Sequence, residues 1–416
     1  MGILDVVTQQ SFLMNLLAGF THLTWQSIVM ILIGLILLYL GVAKDYEPLL
    51  LVPIGFGCVL ANLPLTELIH VPREGFIFHD SVQHVLGLPL QAGQQLVDQG
   101  ILDVLYNAGI ANELFPCLLF IGIGAMTDFG PLLQNPRILL LGGAGQFGIF
   151  LTLLLALALG YDKMEAICVA IIGACDGPTS IYMTSKFNPA LLGPISVAAY
   201  SYMSLVPLIQ PPVMKLCTTK KEREMKMSYD MLKPVTQRTK TLFPIVVTIV
   251  TLLIAPSGAP LMGTLMLGNF LRECKVVGKL VQSAENEIAT ISTLFLGLTV
   301  GATMNGDVFL TVKTLGILCL GFIAICGDTA FGVMGAKVMN IFSRVKVNPL
   351  IGAAGISAFP MAARVVHKVG TQANPHTYLL MHAMGVNTGG QIGSVLAASI
   401  MIAVITALQG MGINLM

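Results

Sequence analysis

Residues 171–186 read IIGACDGPTSIYMTSK, and they set a carboxylate and helix breakers inside a long apolar run. A charge at the centre of a bilayer costs at least ~2.5–3.5 kcal/mol, so such a group faces a cavity or a partner. Gly173 and Gly177 allow the backbone to unwind beside Asp176. Pro178 ends one half-helix and can start the next within its first turn. The first half-helix then ends on free carbonyls with a partial negative charge, and Thr179 and Ser180 add hydroxyl oxygens. Carboxylate, carbonyl and hydroxyl oxygens together suit a small hard cation, Na⁺ or H⁺. The competing reading is a buried aspartate that only caps a kinked helix.

The rest of the chain supplies the membrane this argument needs. Hydrophobic residues make up 55% of the 416 and charged residues only 10%, against roughly 25% charged in a soluble domain. Such a chain cannot cover its own surface in water. Apolar windows recur at 27–43, 114–133, 138–160, 241–256, 288–304, 312–339 and 378–408, each near the ~20 residues that cross a bilayer as a helix. These runs are continuous, not alternating, which excludes a β-barrel. The reading is an all-α polytopic membrane protein of about ten to twelve membrane segments. No cleavable leader is evident, and the first span is expected to act as its own insertion signal. The net charge of +1 gives no reason to expect nucleic acid. Eight cysteines without Cys-x-x-Cys spacing argue against a metal or disulfide framework.

Two stretches are not membrane-like. Residues 63–112 hold one basic residue, Arg73, against Glu67, Glu74, Asp80, Asp98 and Asp103, and are expected outside. Residues 217–240 hold Lys220, Lys221, Arg223, Lys226, Lys233, Arg238 and Lys240, and are expected in the cytoplasm. This basic loop separates a first membrane repeat, 1–216, from a second, 241–416. LFIGIGAMTDFGPLL (119–133) resembles LFLGLTVGATMNGDVFL (294–310), pairing Gly124-Ala125 with Gly301-Ala302. EPLLLVPIGFGCVLANLP (47–64) echoes APLMGTLMLGNFLRE (259–273), and the 171–186 knot finds a counterpart in NPLIGAAGISAFPMAARV (348–365). Related, inverted halves with broken or re-entrant helices at matching positions point to a transport site between them.

In the second knot Asn348 and Pro349 open the segment, Gly352 and Gly355 loosen it, Ser357 adds a hydroxyl and Pro360 breaks it again. Arg364 follows. It can meet a carboxylate or an anionic substrate in two-pronged fashion, or it can sit at a helix end and snorkel. YSYMSLVPLIQPPVMKL (200–216) is a third interrupted element and carries Tyr202, a phenol for ligation or proton transfer if the broken helices meet. MHAMGVNTGGQIGSVLAAS (381–399) holds Asn387 in a glycine run that reads best as close helix packing. Asp128, Glu287, Asp307 and Asp328 are expected near span ends. Met225-Lys226-Met227 imitates a biotin attachment site, but one short charged loop leaves no room for a biotin-carrier domain.

GACDGPTSIY, AAYSYMSLVPLIQPP, GAMTDFGPLLQNPR and NPLIGAAGISAFPMAARVVHKVG closely resemble the β subunit of biotin-dependent, sodium-translocating decarboxylases that act on oxaloacetate, methylmalonyl-CoA or glutaconyl-CoA. WQSIVMILIGLILLYLGVAKDYEPLLLVPIGFG fits as well. The resemblance implies a translocase of the bacterial inner membrane. It would decarboxylate carboxybiotin carried by a partner and couple this to Na⁺ export, consuming a proton. It implies an α carboxyltransferase and biotin-carrier subunit, a small γ-type membrane subunit, and a homo-oligomer such as a trimer. It carries functional roles to Asp176, Tyr202, Asn348, Gly352, Ser357 and Arg364. Na⁺ is then expected on Asp176, Thr179, Ser180, Asn348, Gly352 and Ser357, and the carboxylate of carboxybiotin on Arg364. The rival from another class is a Na⁺- or H⁺-coupled secondary transporter without covalent chemistry.

Overall fold

The computed structural model describes residues 18–44, 47–66, 68, 76–78, 95–97, 100–227, 235–344 and 346–410. Most of the expected outer stretch, including Arg73, Glu74 and Asp80, lies outside the described residues, as does Lys233 of the basic loop. Within it, two three-residue strands, Phe76–Phe78 and Gln95–Val97, pair in parallel. All other regular structure among the described residues is helical.

Five helices are long and apolar enough to cross a membrane: Trp25–Ala43, Pro136–Ala158, Gln237–Ile254, Val312–Phe342 and Leu380–Leu408. Two apolar pairs separated by a short break raise the number to as many as seven. Among the described residues that is fewer than the ten to twelve segments expected from the sequence, because Pro48–Asn62 and other apolar stretches form helices too short to count as spans. The chain divides into two compact units, one of residues up to Asn112 with Leu294–Thr314, the other of Glu113–Thr293 with everything from Leu315 on. Each unit draws on sequence from both sides of the basic loop.

In the first unit, α1 (Trp25–Ala43) begins where the Thr24 hydroxyl accepts from the Ser27 N–H at 3.1 Å, satisfying a first-turn donor. Helix α2 (Pro48–Asn62) opens with proline in its first turn. Gly34 and Gly55 let α1 and α2 pack backbone to backbone, because a Cβ on either would come within 3 Å of the other's carbonyl oxygen. Helix α2 meets the 294–302 helical stretch in the same way. A Cβ on Gly57 would strike the Leu298 carbonyl, and one on Gly301 would strike the Ile54 carbonyl. Small residues at such crossings let dispersion and interhelical polar contacts hold helices together where lipid offers no hydrophobic driving force.

The second unit repeats that crossing within itself. Helices α3 (Leu114–Met126) and α4 (Ala259–Cys274) cross at Gly124 and Gly268. A Cβ on Gly268 would strike the Ile121 carbonyl and one on Gly124 the Leu265 carbonyl. Asn269 locks this crossing by donating to the Thr127 carbonyl at 2.8 Å. The unit also holds both interrupted helices, the long span Val312–Phe342 from Leu315 on, and the span Leu380–Gly410.

Candidate functional site

The first interrupted helix folds as its sequence demands. Its leading half, Lys163–Ala170, starts at a capping box in which Asp162 accepts from the Met164 N–H and Glu165 accepts from the Asp162 N–H. A single 3₁₀ turn, Ile171–Ala174, follows, and Cys175 then takes a left-handed φ of 51°. Asp176 is the N-cap of the trailing half, Gly177–Phe187. Its Oδ2 accepts from the Thr179 hydroxyl at 2.6 Å and its Oδ1 from the Thr179 N–H at 3.4 Å. Ser180 turns back toward the end of the leading half and donates to the Asp176 carbonyl at 2.9 Å.

The second interrupted segment begins with a wholly buried 3₁₀ helix, Pro349–Gly355, and resumes as the helix Met361–Ala373. The two breaks meet. The Ser357 N–H donates to the Ala174 carbonyl at 3.0 Å, at the point where the first half-helix ends.

The long helix Leu380–Gly410 crosses both breaks with its polar stripe. Ser394 Oγ donates to Asp176 Oδ2 at 3.2 Å, and one turn earlier the Gly390 carbonyl accepts from Ser357 Oγ at 3.0 Å. Asn387 donates to the Ala354 and Ile356 carbonyls at 3.1 and 2.6 Å. Gln146 donates to the Gly355 carbonyl at 2.8 Å and to that of Gly390 at 3.3 Å. Glycines make this approach possible: a Cβ on Gly145 would come within 2.6 Å of the Gly355 backbone. Asp176, Thr179, Ser357, Asn387 and Ser394 are all buried. The side-chain oxygens of Gln146 and Asn387 are buried with no hydrogen-bond partner. A carboxylate, three hydroxyls, several carbonyl oxygens and two orphaned amide oxygens therefore belong to one buried network around the two breaks, with oxygens of the kind hard cations take.

Not every expected residue joins this cluster. Asn348 donates to the Arg223 and Met225 carbonyls at 3.1 and 2.9 Å, and so holds the basic loop down. Gly352 lies against Gly332 so closely that neither has room for a Cβ. The Tyr202 hydroxyl donates to the Leu318 carbonyl, and its ring lies near Phe322. Tyr200, two residues earlier, is the tyrosine whose ring covers Gly177. Arg364 stands on the exposed face of Met361–Ala373.

Near the other end of that helix, Lys215, Lys220, Arg223, Glu224, Val369, Gln372 and Ala373 line a cavity of about 390 Å³. Among the expected span-end acids, Asp128 pairs with Lys240 at 3.5 Å, and Glu287 is exposed. The Asp307 side chain lies outside the description. Asp328 differs from expectation, because it is fully buried near the middle of Val312–Phe342. The apolar window 312–339 concealed its depth, since a window marks a span but not the register of one residue within it.

The comparisons with known proteins agree with this architecture. The family model described as Na⁺-transporting oxaloacetate decarboxylase beta subunit matches residues 26–405. The oxaloacetate decarboxylase beta chain of Klebsiella pneumoniae is 48% identical over 424 residues, covering 94% of this chain and 98% of that one. The methylmalonyl-CoA decarboxylase subunit beta of Propionigenium modestum is 50% identical, covering 92% and 96%. The glutaconyl-CoA decarboxylase subunit beta of Acidaminococcus fermentans is 50% identical, covering 93% and 96%. These relatives carry decarboxylase names, which favours the decarboxylase reading over a solute transporter. With the apolar helices, they make this a multi-pass protein of the bacterial inner membrane and a subunit of a decarboxylase complex. The chain belongs to the β-subunit family of Na⁺-transporting oxaloacetate decarboxylases.

Proposed function

We propose that this subunit decarboxylates carboxybiotin carried by a partner subunit and uses the energy released to export Na⁺, with Asp176 as the central sodium ligand. The observation that carries the reading is the meeting of two broken helices at a buried carboxylate, bridged by Ser394 and by the Ser357–Ala174 bond. Asp176, Thr179, Ser357 and Ser394 supply side-chain oxygens, and Gly355, Gly390 and Ala174 supply carbonyls near them. Asn387 and Gln146 fix the second break, and each keeps a buried side-chain oxygen without a hydrogen-bond partner as a further candidate ligand. Asn348, Gly352 and Ser180 act one step back, by setting where the two breaks stand. Tyr202 holds the helix Leu192–Cys217 against Val312–Phe342 and offers a phenol for proton movement along that seam.

Carboxybiotin supplies an N-carboxylate whose C–N bond breaks when its nitrogen takes a proton, giving CO₂ and biotin. The residues present fit an anion of this kind. Lys215, Lys220 and Arg223 outnumber Glu224 around the 390 Å³ cavity, and Arg364, exposed nearer the start of the helix Met361–Ala373 that lines it, is a further guanidinium able to meet a carboxylate. Residues 217–240 are read as cytoplasmic, the side from which a carrier arrives. The partners in this reading are an α carboxyltransferase and biotin-carrier subunit, a small γ-type membrane subunit and further copies of this chain. The matching crossings at Gly57/Gly301 and Gly268/Gly124 support two related, inverted repeats, 1–216 and 241–416, on either side of the basic loop.

The test is Na⁺ uptake into proteoliposomes holding the purified complex, started with the decarboxylase substrate. Avidin should abolish uptake. Uptake unaffected by avidin would favour a secondary transporter instead.

A further inference from the structure

Asp328 is a second carboxylate buried in the same unit, and neither the sodium site nor the packing uses all of it. Its side chain is fully buried. Oδ1 accepts from the Gly148 N–H at 2.5 Å, at the start of the helix Phe147–Ala158. Oδ2 is buried with no hydrogen-bond partner. That orphaned oxygen points at the first knot: a Cβ placed on Gly173 would stand 3.1 Å from it. Cys175, the left-handed residue of the knot, has both Asp176 and Asp328 as charge neighbours.

We propose that Asp328 is the proton site of this subunit, a carboxyl that takes up one proton from water in each cycle and releases it toward the Asp176 knot. The choice between ionised, metal-bound and protonated states follows from its neighbours. One backbone N–H at a helix N-terminus offsets at most about 2 kcal/mol of burying a charge, less than the several kcal/mol that burial costs. A bare carboxylate is therefore excluded as the resting state. A metal ion asks for about six oxygens, whereas the other atoms beside the Cβ position of Gly173 that Oδ2 faces are the Ile149 backbone nitrogen and the Ala324 methyl. A proton needs one oxygen, and Oδ2 is that oxygen. The ionisable groups facing Asp328 are Cys175 and, beyond it, Asp176, while Phe147–Ala158 contributes no ionisable side chain. Two like charges flanking Cys175 oppose each other, so Na⁺ on Asp176 eases proton loss from Asp328 and Na⁺ release draws a proton back.

The proposal rests on the decarboxylase reading only for the reaction that consumes the proton. Infrared spectroscopy of the purified complex with carboxyl-labelled aspartate tests the protonated state independently of that reading. An un-ionised carboxyl band is expected that shifts on labelling, is lost in Asp328→Asn, and responds to added Na⁺. In turnover, Asp328→Asn should slow Na⁺-dependent decarboxylation at least about tenfold and remove its decline at alkaline pH. The Na⁺ concentration for half-maximal rate should stay within about threefold, as expected for a group that is not a sodium ligand. Wild-type turnover and pH profile in Asp328→Asn would overturn the proposal. So would a tenfold rise in half-saturating Na⁺, which marks a sodium ligand. If Asp328→Asn fails to assemble, the band in labelled wild-type protein and its displacement in Asp328→Glu decide the matter, and absence of the band overturns it.

Discussion

Ser394 meets Asp176 from a helix 218 residues further along the chain, its hydroxyl 3.2 Å from Oδ2. The contact makes the helix Leu380–Gly410 part of the candidate sodium site and not merely its wall. A hydrogen bond to a charged group contributes about 1.5–3 kcal/mol. Ser394→Ala should therefore raise the Na⁺ concentration for half-maximal decarboxylation by about tenfold or more, while Ser394→Thr keeps most of the affinity. Steady-state rates over a Na⁺ series check this.

The glycine crossings at Gly301 and Gly124 are expected to respond alike. A methyl group at either falls on a carbonyl of the facing helix, and overpacking of this kind costs about 1–3 kcal/mol. Gly301→Ala and Gly124→Ala should each lower thermal stability in detergent by comparable amounts. Tolerance of one and collapse of the other would contradict their equivalence as repeat positions.

Asn348 is expected to act through the basic loop. Its amide holds the Arg223 and Met225 carbonyls, and leaving such groups unpaired costs about 1–3 kcal/mol. Asn348→Ala should speed tryptic cleavage after the exposed Lys226 by about tenfold. An unchanged cleavage rate would mean that the loop is held by other contacts.

Glu222 gives that loop a pH dependence. Burial alone would raise its pKa, but hydrogen bonds from Thr219 and the Lys337 ammonium at 3.1 Å hold it below the usual range. A carboxyl whose folded pKa is depressed contributes stability above its unfolded value, near 4.3, and loses it as pH falls through the folded value. Hydrogen exchange of residues 219–224 should thus accelerate at acid pH in wild type, beyond the ordinary pH effect on exchange. Glu222→Gln should be looser already at neutral pH.

The membrane class, both knots and the interruption at Asp176 were legible in the sequence, because Gly, Pro and a buried charge leave few other foldings in an apolar run. The sodium-site partners were harder to see. Ser394 and Asn387 lie in a stretch that reads as close packing and Gln146 in an apolar window, and glycine-rich packing is indeed what brings them near the breaks. What turns packing residues into ligands is the crossing of separate helices, a long-range fact that no local pattern carries. The one available hint was Gly390 four residues before Ser394, a small residue and a hydroxyl on one helix face. Asn348 shows the converse. Its motif pointed to the ion, yet its side chain is spent on the loop.

The central claim is that Asp176 holds the transported ion. The direct measurement is radioactive Na⁺ binding to the purified complex, wild type against Asp176→Asn, with decarboxylation measured alongside. The account predicts that Asp176→Asn loses sodium binding at this site and sodium stimulation together. Full sodium-stimulated carboxybiotin decarboxylation in Asp176→Asn would contradict it.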